Sequence, residues 1–495
     1  MAGVNPQAGV GPRAQRKAAS ASGAGVFTRP PRKNGRRRER GAALIMVLGS
    51  LVILSVMLAE SQDEMSTEFA SALSDRDALK AEYAAKSAIN LSRLLIAAEP
   101  TVRQAAGMLL SLLGGGNKPP QIPIWEFAPQ ILGAFNDADG AAQFRGLTNS
   151  DVSSGDSLGL EGAGFELRIV DEDSKIGLNN AGRSTFSALN VGRQLMGLIG
   201  GPQYDPLFDR RSASGEYATR LDVCSAIIDW VDANQDTANC EATSQNMASG
   251  PEDSYYRNLP DPYMRKNAAF DSLEELRLVR GVGDDFWATF VEPDPGDPSK
   301  RPVSVWSQGK ININSTNPLT LISYICSQAR PGMLLCNDPT GVKPAAFLST
   351  MSLLQSMFAG VPIFRSGKQL REALQGQGTF GPFLKSAGID PMEFISNDEF
   401  DKGLSIESKV FSIYAEGHVR QARRETHVRI HAVVDFRKAP TVQDLVNQVT
   451  AGAAPAAPPP PPGQASSTSA SDDTTGIQGA LVPSTAGRVV YYRVN

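Results

Sequence analysis

A chain of 495 residues is too long for one compact core and should hold two or three folded units. Its 41% apolar and 20% charged content is that of an ordinary globular protein. Ten of the 48 Lys/Arg and one of the 52 Asp/Glu fall in residues 1–41, which leaves 38 basic against 51 acidic residues beyond Gly41, a formal charge of −13. A body that acidic repels phosphate backbones and attracts divalent cations, so nucleic acid is not an expected partner.

Residues 1–35 are rich in Ala, Gly, Pro and Arg and read as a disordered leader. The stretch RRRERGAALIMVLGSLVILSVMLAE (36–60) then stops four arginines at Gly41 and continues in eighteen uncharged residues, 42–59. As a helix these reach about 27 Å, close to the roughly 30 Å hydrocarbon core of a bilayer. The basic cluster places the leader in the cytoplasm and everything after Glu60 across the membrane. Eighteen residues exceed the roughly 7–15 of a signal-peptide core, although a signal-peptidase cut after Ala59 is an alternative. From Glu60 to Leu95 there is neither Gly nor Pro, and Met65, Phe69, Leu73, Leu79, Tyr83, Ile89 and Leu94 recur at near-helical spacing. One helix of about fifty residues is expected, apolar first and amphipathic afterwards.

That order of basic residues, Gly41, apolar helix and amphipathic helix resembles a type IV prepilin N-terminus. The resemblance implies that a prepilin peptidase cuts after Gly41 and methylates Ala42, keeping the apolar run. Most such subunits carry Glu at the fifth mature position, where this chain has Met46. A plain signal anchor with a chance Gly is the simpler alternative.

Further along, FELRIVDEDSK predicts a strand over Phe165–Val170, and KIGLNNAG leads from it into helical text. VSVWSQGKININSTNP repeats the arrangement of strand, Lys, Asn and helix start. Residues 180–291 and 316–400 read as mostly helical. In DSLEELRLVRGVGDDFWATF, Ser272 and Glu275 have capping-box spacing, and the turn at Gly281–Gly283 joins two expected helices. The pattern also matches a helix-hairpin-helix, but Asp284 and Asp285 after the turn oppose a phosphate, so a packing hairpin is preferred. KVFSIYAEGHVR and ETHVRIHAVVDF alternate as two strands about the turn QARR. Residues 439–485, with AAPAAPPPPPG, read as a Pro/Ser-rich disordered insertion, and RVVYYRVN as a strand returning to that ribbon.

Four cysteines fall into two local pairs, Cys224 with Cys240 and Cys326 with Cys336; outside the reducing cytoplasm two short-loop disulfides are the simplest reading. Around the first pair, Asp229, Asp232, Asn234 and Asp236 crowd a loop after an apolar helix, and Glu252 and Asp253 follow. Oxygen ligands at this density suit Ca²⁺, which takes six to eight of them. The spacing is not that of an EF-hand, and a solvated acidic loop is the equal alternative. The histidines His418, His427 and His431 lack a third zinc ligand near in sequence, and no nucleophile elbow, P-loop or H-E-x-x-H occurs, so no catalytic residue is expected.

IIDWVDAN, GPEDSYY and DSLEELRLVRGV, together with QGKININS, resemble the minor pseudopilin K family of the type II secretion system. The resemblance runs in order from Gly41 to about Phe436. It implies an α+β fold: a long N-terminal helix on an antiparallel pilin-like sheet (100–179, 302–438 and 486–495), with a helical domain inserted at 180–301. It also implies a subunit at the pseudopilus tip, in the inner membrane with its body in the periplasm. There it would initiate assembly with minor pseudopilins I and J beside the major pseudopilin. Loss of the Glu at Met46 is usual in that family and fits a tip, which has no subunit above it. Calcium bound structurally by Asp229, Asp232, Asn234, Asp236, Glu252 and Asp253 is implied as well. A minor pilin of a type IV or DNA-uptake system, and a secreted calcium-binding protein, remain as alternatives.

Overall fold

The computed structural model describes residues 39–112, 121–136, 140–142, 144–145, 159–209, 217–241, 254–358, 362–421, 424–441, 444 and 485–495. Helix α1 runs from Glu39 to Leu112. The helix therefore runs past the end expected at residue 99. Pro100 removes a single main-chain hydrogen bond, and the Ala-, Leu- and Met-rich text after it has high helix propensity.

The chain divides into two units after Ala72. In the first, the large apolar side chains from Leu44 to Leu58 are all more than half exposed. The segment is long and apolar enough, by length and composition, to cross a membrane.

The second unit, Leu73–Asn495, contains a four-stranded antiparallel sheet. Its strands are β1 (Ala163–Asp171), β2 (Val410–Gln421), β3 (Arg424–Asp435) and β4 (Arg488–Val494), in that spatial order. The last strand does return to the ribbon, with Ile430 opposite Val494. One face of the sheet packs on the later part of α1. Ala85, Ala88, Ile89 and Ile96 meet Phe165, Ile169, Ile413, Ala415 and Ile430 there, while Ala81 and Ala84 meet Ala163 and Val419. The approach is so close that a Cβ built on Gly417 would lie 1.8 Å from the Ala81 carbonyl oxygen. This closeness corrects the expected apolar stripe. Ala81, Ala84, Ala85 and Ala88 face the sheet together with Ile89 and Ile96, while Leu79, Tyr83 and Leu94 of the expected stripe stand on the outside, more than half exposed.

Between β1 and β2 lie α2 (Thr185–Ile199), α3 (Arg220–Val231), α4 (Pro318–Gln328), α5 (Val342–Met357) and α6 (Gly367–Leu374). Side-chain caps start most of them: Ser184 accepts from Ser187 N, Thr219 and Asp222 form a capping box, and Asn317 accepts from Thr320 N. All five helices share one hydrophobic core from Ile176 to Leu404. The domain boundary expected at residue 301 is thus absent. Residues 318–402 belong with the helical insertion rather than the sheet, because α4 packs on α2 and fills its core with Leu321, Tyr324 and Ile325.

The hairpin around Gly281 also departs from expectation. Leu273–Leu278 is a 3-10 helix, and Ser272 makes no side-chain cap bond. Glu275 instead folds back to accept from Asp271 N (3.0 Å), one residue before the expected partner, and from Lys266 Nζ (2.9 Å).

Candidate functional site

The acidic loop begins inside α3. Its apolar turns bury Cys224, Ile227, Ile228 and Trp230, and the same packing carries Asp229 into the interior, where it is 5% exposed. Trp230 stacks on Phe270 at 6.3 Å and meets Tyr256 edge-on at 5.8 Å, which fixes the end of the helix against the segment that follows. Asp232 caps α3 and is equally buried. Asn234 donates its side-chain amide to Asp232 Oδ2 (2.7 Å), and its own oxygen accepts from Asp236 N (2.7 Å). Asp229 Oδ1 accepts from Ala238 N at 2.7 Å. A disulfide joins Cys224 to Cys240, with Cα atoms 6.2 Å apart, and closes the loop over a separation of 16 residues. A second disulfide joins Cys326 to Cys336.

Burial pushes the Asp229 carboxyl up to about 7 against the hydrogen bond from Ala238, and raises Asp232 as well. The cation that both feel is Arg265, from the segment after the Tyr pair. It is 6% exposed, donates Nη2 to the Asn234 carbonyl (3.1 Å), and donates Nε to Asn267.

The sequence-derived ligand set is therefore only partly assembled. Asp229, Asp232 and Asn234 converge. Asp236 is exposed. Glu252 and Asp253 lie outside the described residues. Among the described residues no three His, Cys, Asp or Glu side chains come together in a way that would hold a metal. Of the six residues implied as Ca²⁺ ligands, the described ones that converge are Asp229, Asp232 and Asn234, with Arg265 interacting electrostatically with both carboxylates.

A second acidic constellation was missed by the sequence reading: Asp171, Glu172 and Asp173, where β1 ends. All three are buried. Asp173 Oδ1 accepts from Gln308 N (2.9 Å), while Oδ2 accepts from Gln308 Nε2 (2.9 Å), Lys409 N (2.8 Å) and Val410 N (3.2 Å). Asp171 accepts from Asp173 N (2.8 Å) through Oδ1 and from the Ser315 and Ser408 hydroxyls through Oδ2. Glu172 pairs with the buried Lys175 at 3.0 Å and accepts from Ser304 at 2.5 Å. Burial, then repulsion from Asp173, lifts Asp171 to about 7, and burial lifts Asp173 to about 6. Burial opposes ionisation of Glu172 too, but Lys175 and Ser304 hold it below the usual range.

Beside these carboxylates lie two parallel two-residue pairings, Ile176–Gly177 with Val303–Ser304 and Ile311–Asn312 with Leu404–Ser405. The carboxylates therefore fasten the sheet to the helical insertion at the two places where the sequence repeats its strand–Lys–Asn arrangement. Three consecutive acids directly after an apolar strand were the available signal.

The histidines play different parts: His431 packs inside, whereas the exposed His427 places Nδ1 2.9 Å from Glu416. His431 stacks on Tyr414 at 4.2 Å, and burial lowers its pKa to about 4. His418 and His427 face each other across β2 and β3 at 6.2 Å.

Residues 203–290 match the family described as type II secretion system (T2SS), protein K. That match contains α3, the acidic loop, Arg265 and the Gly281 turn. No curated protein matches the chain. Among solved structures, the chain is distantly similar to one from the complex of GspK, GspI and GspJ of the enterotoxigenic Escherichia coli type 2 secretion system. The identity is 14% and the TM-score 0.34, over 55% of this chain and 75% of that one. By its residues 203–290, the chain carries a protein K domain of the type II secretion system.

Proposed function

We propose that the chain is a minor pseudopilin that sits at the tip of a type II secretion pseudopilus and starts its assembly with the minor pseudopilins I and J. The observation that carries this reading is the two-faced helix α1. One side is packed on the sheet through Ala81, Ala84, Ala85, Ala88, Ile89 and Ile96, and the other presents Leu79, Tyr83 and Leu94 to the outside. A row of large apolar side chains along one helix face is the kind of surface that another protein's apolar face covers. The apolar run before Ala72, also exposed, continues the same helix into a length suited to the inner membrane. The protein K domain at 203–290 and the Met at position 46 favour the tip over the shaft. The role is structural, with the body in the periplasm, where both disulfides would persist. Prepilin peptidase would cut after Gly41 and methylate Ala42.

Co-purification tests the reading. Full-length chain in mild detergent is expected to retain pseudopilins I and J. The double substitution Leu79→Asp and Tyr83→Asp should abolish retention while the helical insertion keeps its tryptophan fluorescence. Unchanged retention by that variant would remove the assembly role from this face of α1.

A further inference from the structure

We infer that the cleft between the first half of α2 and the paired segments at Ile311 and Leu404 is a binding site for an acidic, extended peptide segment of another protein. The inference is separate from the pseudopilus reading and holds whichever assembly the chain enters.

The cleft has a volume of about 430 Å³, within the roughly 300–1,000 Å³ of ligand sites. Its charged lining sets Arg183, Lys310 and Lys402 against one carboxylate, Glu399. The body around it carries a formal charge of −13 beyond Gly41. A local excess of cations in so acidic a molecule concentrates anions. The fold brings the two lysines to this place. Ile311 N donates to the Gly403 carbonyl (3.1 Å), and Ile311 pairs in parallel with Leu404, so Lys310 and Lys402 emerge from adjoining chain segments. Neither has a carboxylate partner among the described residues. Lys175, Lys266 and Lys343 all do. Ammonium groups that share a cleft without counter-ions repel each other, and a bound anion relieves that repulsion.

The rest of the wall selects a peptide over a simple anion. Gln194 is 7% exposed, lines the cleft and makes no side-chain hydrogen bond among the described residues. Asn190 lies one turn earlier on the same face of α2, lines the cleft and is likewise unbonded. An amide side chain both donates and accepts. The main chain of an extended peptide offers both groups in return. Phe186, in the first turn of α2 and 59% exposed, gives the rim an apolar contact. The floor is rigid. Tyr324 donates its hydroxyl to the Phe400 carbonyl (2.7 Å), and a Cβ on Gly403 would lie 2.2 Å from that hydroxyl, so only glycine fits beside it.

The test uses the full chain in mild detergent and a fluorescein-labelled hexaglutamate peptide, with anisotropy read at fixed ionic strength. The unaltered chain is expected to bind it. Lys310→Gln combined with Lys402→Gln should weaken binding about tenfold. Lys385→Gln combined with Lys438→Gln, which alters two exposed lysines outside the cleft, should leave binding unchanged. Gln194→Leu keeps every charge and should still weaken binding about fivefold. Inorganic phosphate at matched ionic strength should not displace the peptide. No binding by the unaltered chain overturns the inference, and so does equal weakening by the two lysine pairs, which would reduce the effect to non-specific charge. Displacement by phosphate, or full-strength binding by Gln194→Leu, overturns the peptide assignment. The lysine pairs lie on the surface and decide the question even if Gln194→Leu does not fold.

Discussion

Replacing Asp173 by Ala separates two effects that act in opposite directions. The side chain is the acceptor for three main-chain N–H groups from two distant segments, Gln308, Lys409 and Val410. Removing it strands those donors, at about 2 kcal/mol each, or roughly 6 kcal/mol together. Against this, burying the carboxylate raises its pKa from 3.8 to about 6, so its removal relieves about 3 kcal/mol at neutral pH. The donors win, and a net loss of about 3 kcal/mol is expected. Asp171→Asn should behave differently. Its Oδ2 partners are the hydroxyls of Ser315 and Ser408, and a hydroxyl can turn from donor to acceptor, whereas a main-chain N–H cannot. That variant should be as stable as the parent at pH 7.5, or more stable by about 1–3 kcal/mol, because the burden of burying a charge is lifted. Urea unfolding of the detergent-solubilised chain, followed by tryptophan fluorescence, reads both. Trp125, Trp230, Trp287 and Trp306 all lie in the unit from Leu73 onward, so the signal is blind to the membrane helix. Equal losses for the two variants would refute the distinction between fixed and reversible donors.

A pH series adds a signed check. Asp171 has a folded pKa raised to about 7, so between about pH 4 and 7 the folded state keeps a proton that the unfolded state releases, and stability should fall as pH rises through that window. The Asp171→Asn variant should flatten that fall, as read by urea midpoints at pH 4.5 and 7.5. Gly417→Ala places a methyl 1.8 Å from the Ala81 carbonyl and should lower stability by more than the roughly 1–3 kcal/mol of ordinary overpacking, read by the same unfolding curve. Opening the Cys224–Cys240 disulfide by replacing both residues with Ala should lower stability by about 2–4 kcal/mol. Reducing the parent opens Cys326–Cys336 as well, so its reducing melt should fall below that of the double-Ala variant under non-reducing conditions.

The sequence disclosed the parts whose physics is local. The apolar span after Gly41, the alternating strands at Val410–Gln421 and Arg424–Asp435, and the returning strand Arg488–Val494 each follow from periodicity within a few residues. What depended on distant partners was misjudged. Leu79 and Tyr83 look like core residues on a helical wheel, yet where Gly417 lets α1 approach most closely the sheet meets Ala81, Ala84 and Ala85 instead. The insertion was cut short at residue 301 because nothing in α4 tells which side of the molecule it packs on. At the candidate site, the acids of the loop were visible as a cluster, but their counter-charge was not. Arg265 lies 29 residues beyond Asp236 and reaches the loop only through the fold. The Asp171–Asp173 fastening was hidden for the same reason, its partners lying more than 130 residues away.

The central claim is that α1 keeps its apolar half and carries it into the assembly. Intact-mass and N-terminal peptide mass spectrometry of the chain purified from membranes tests it most directly. A mature chain beginning at a methylated Ala42 is the predicted result; a chain beginning at Glu60, without the apolar run, would contradict it.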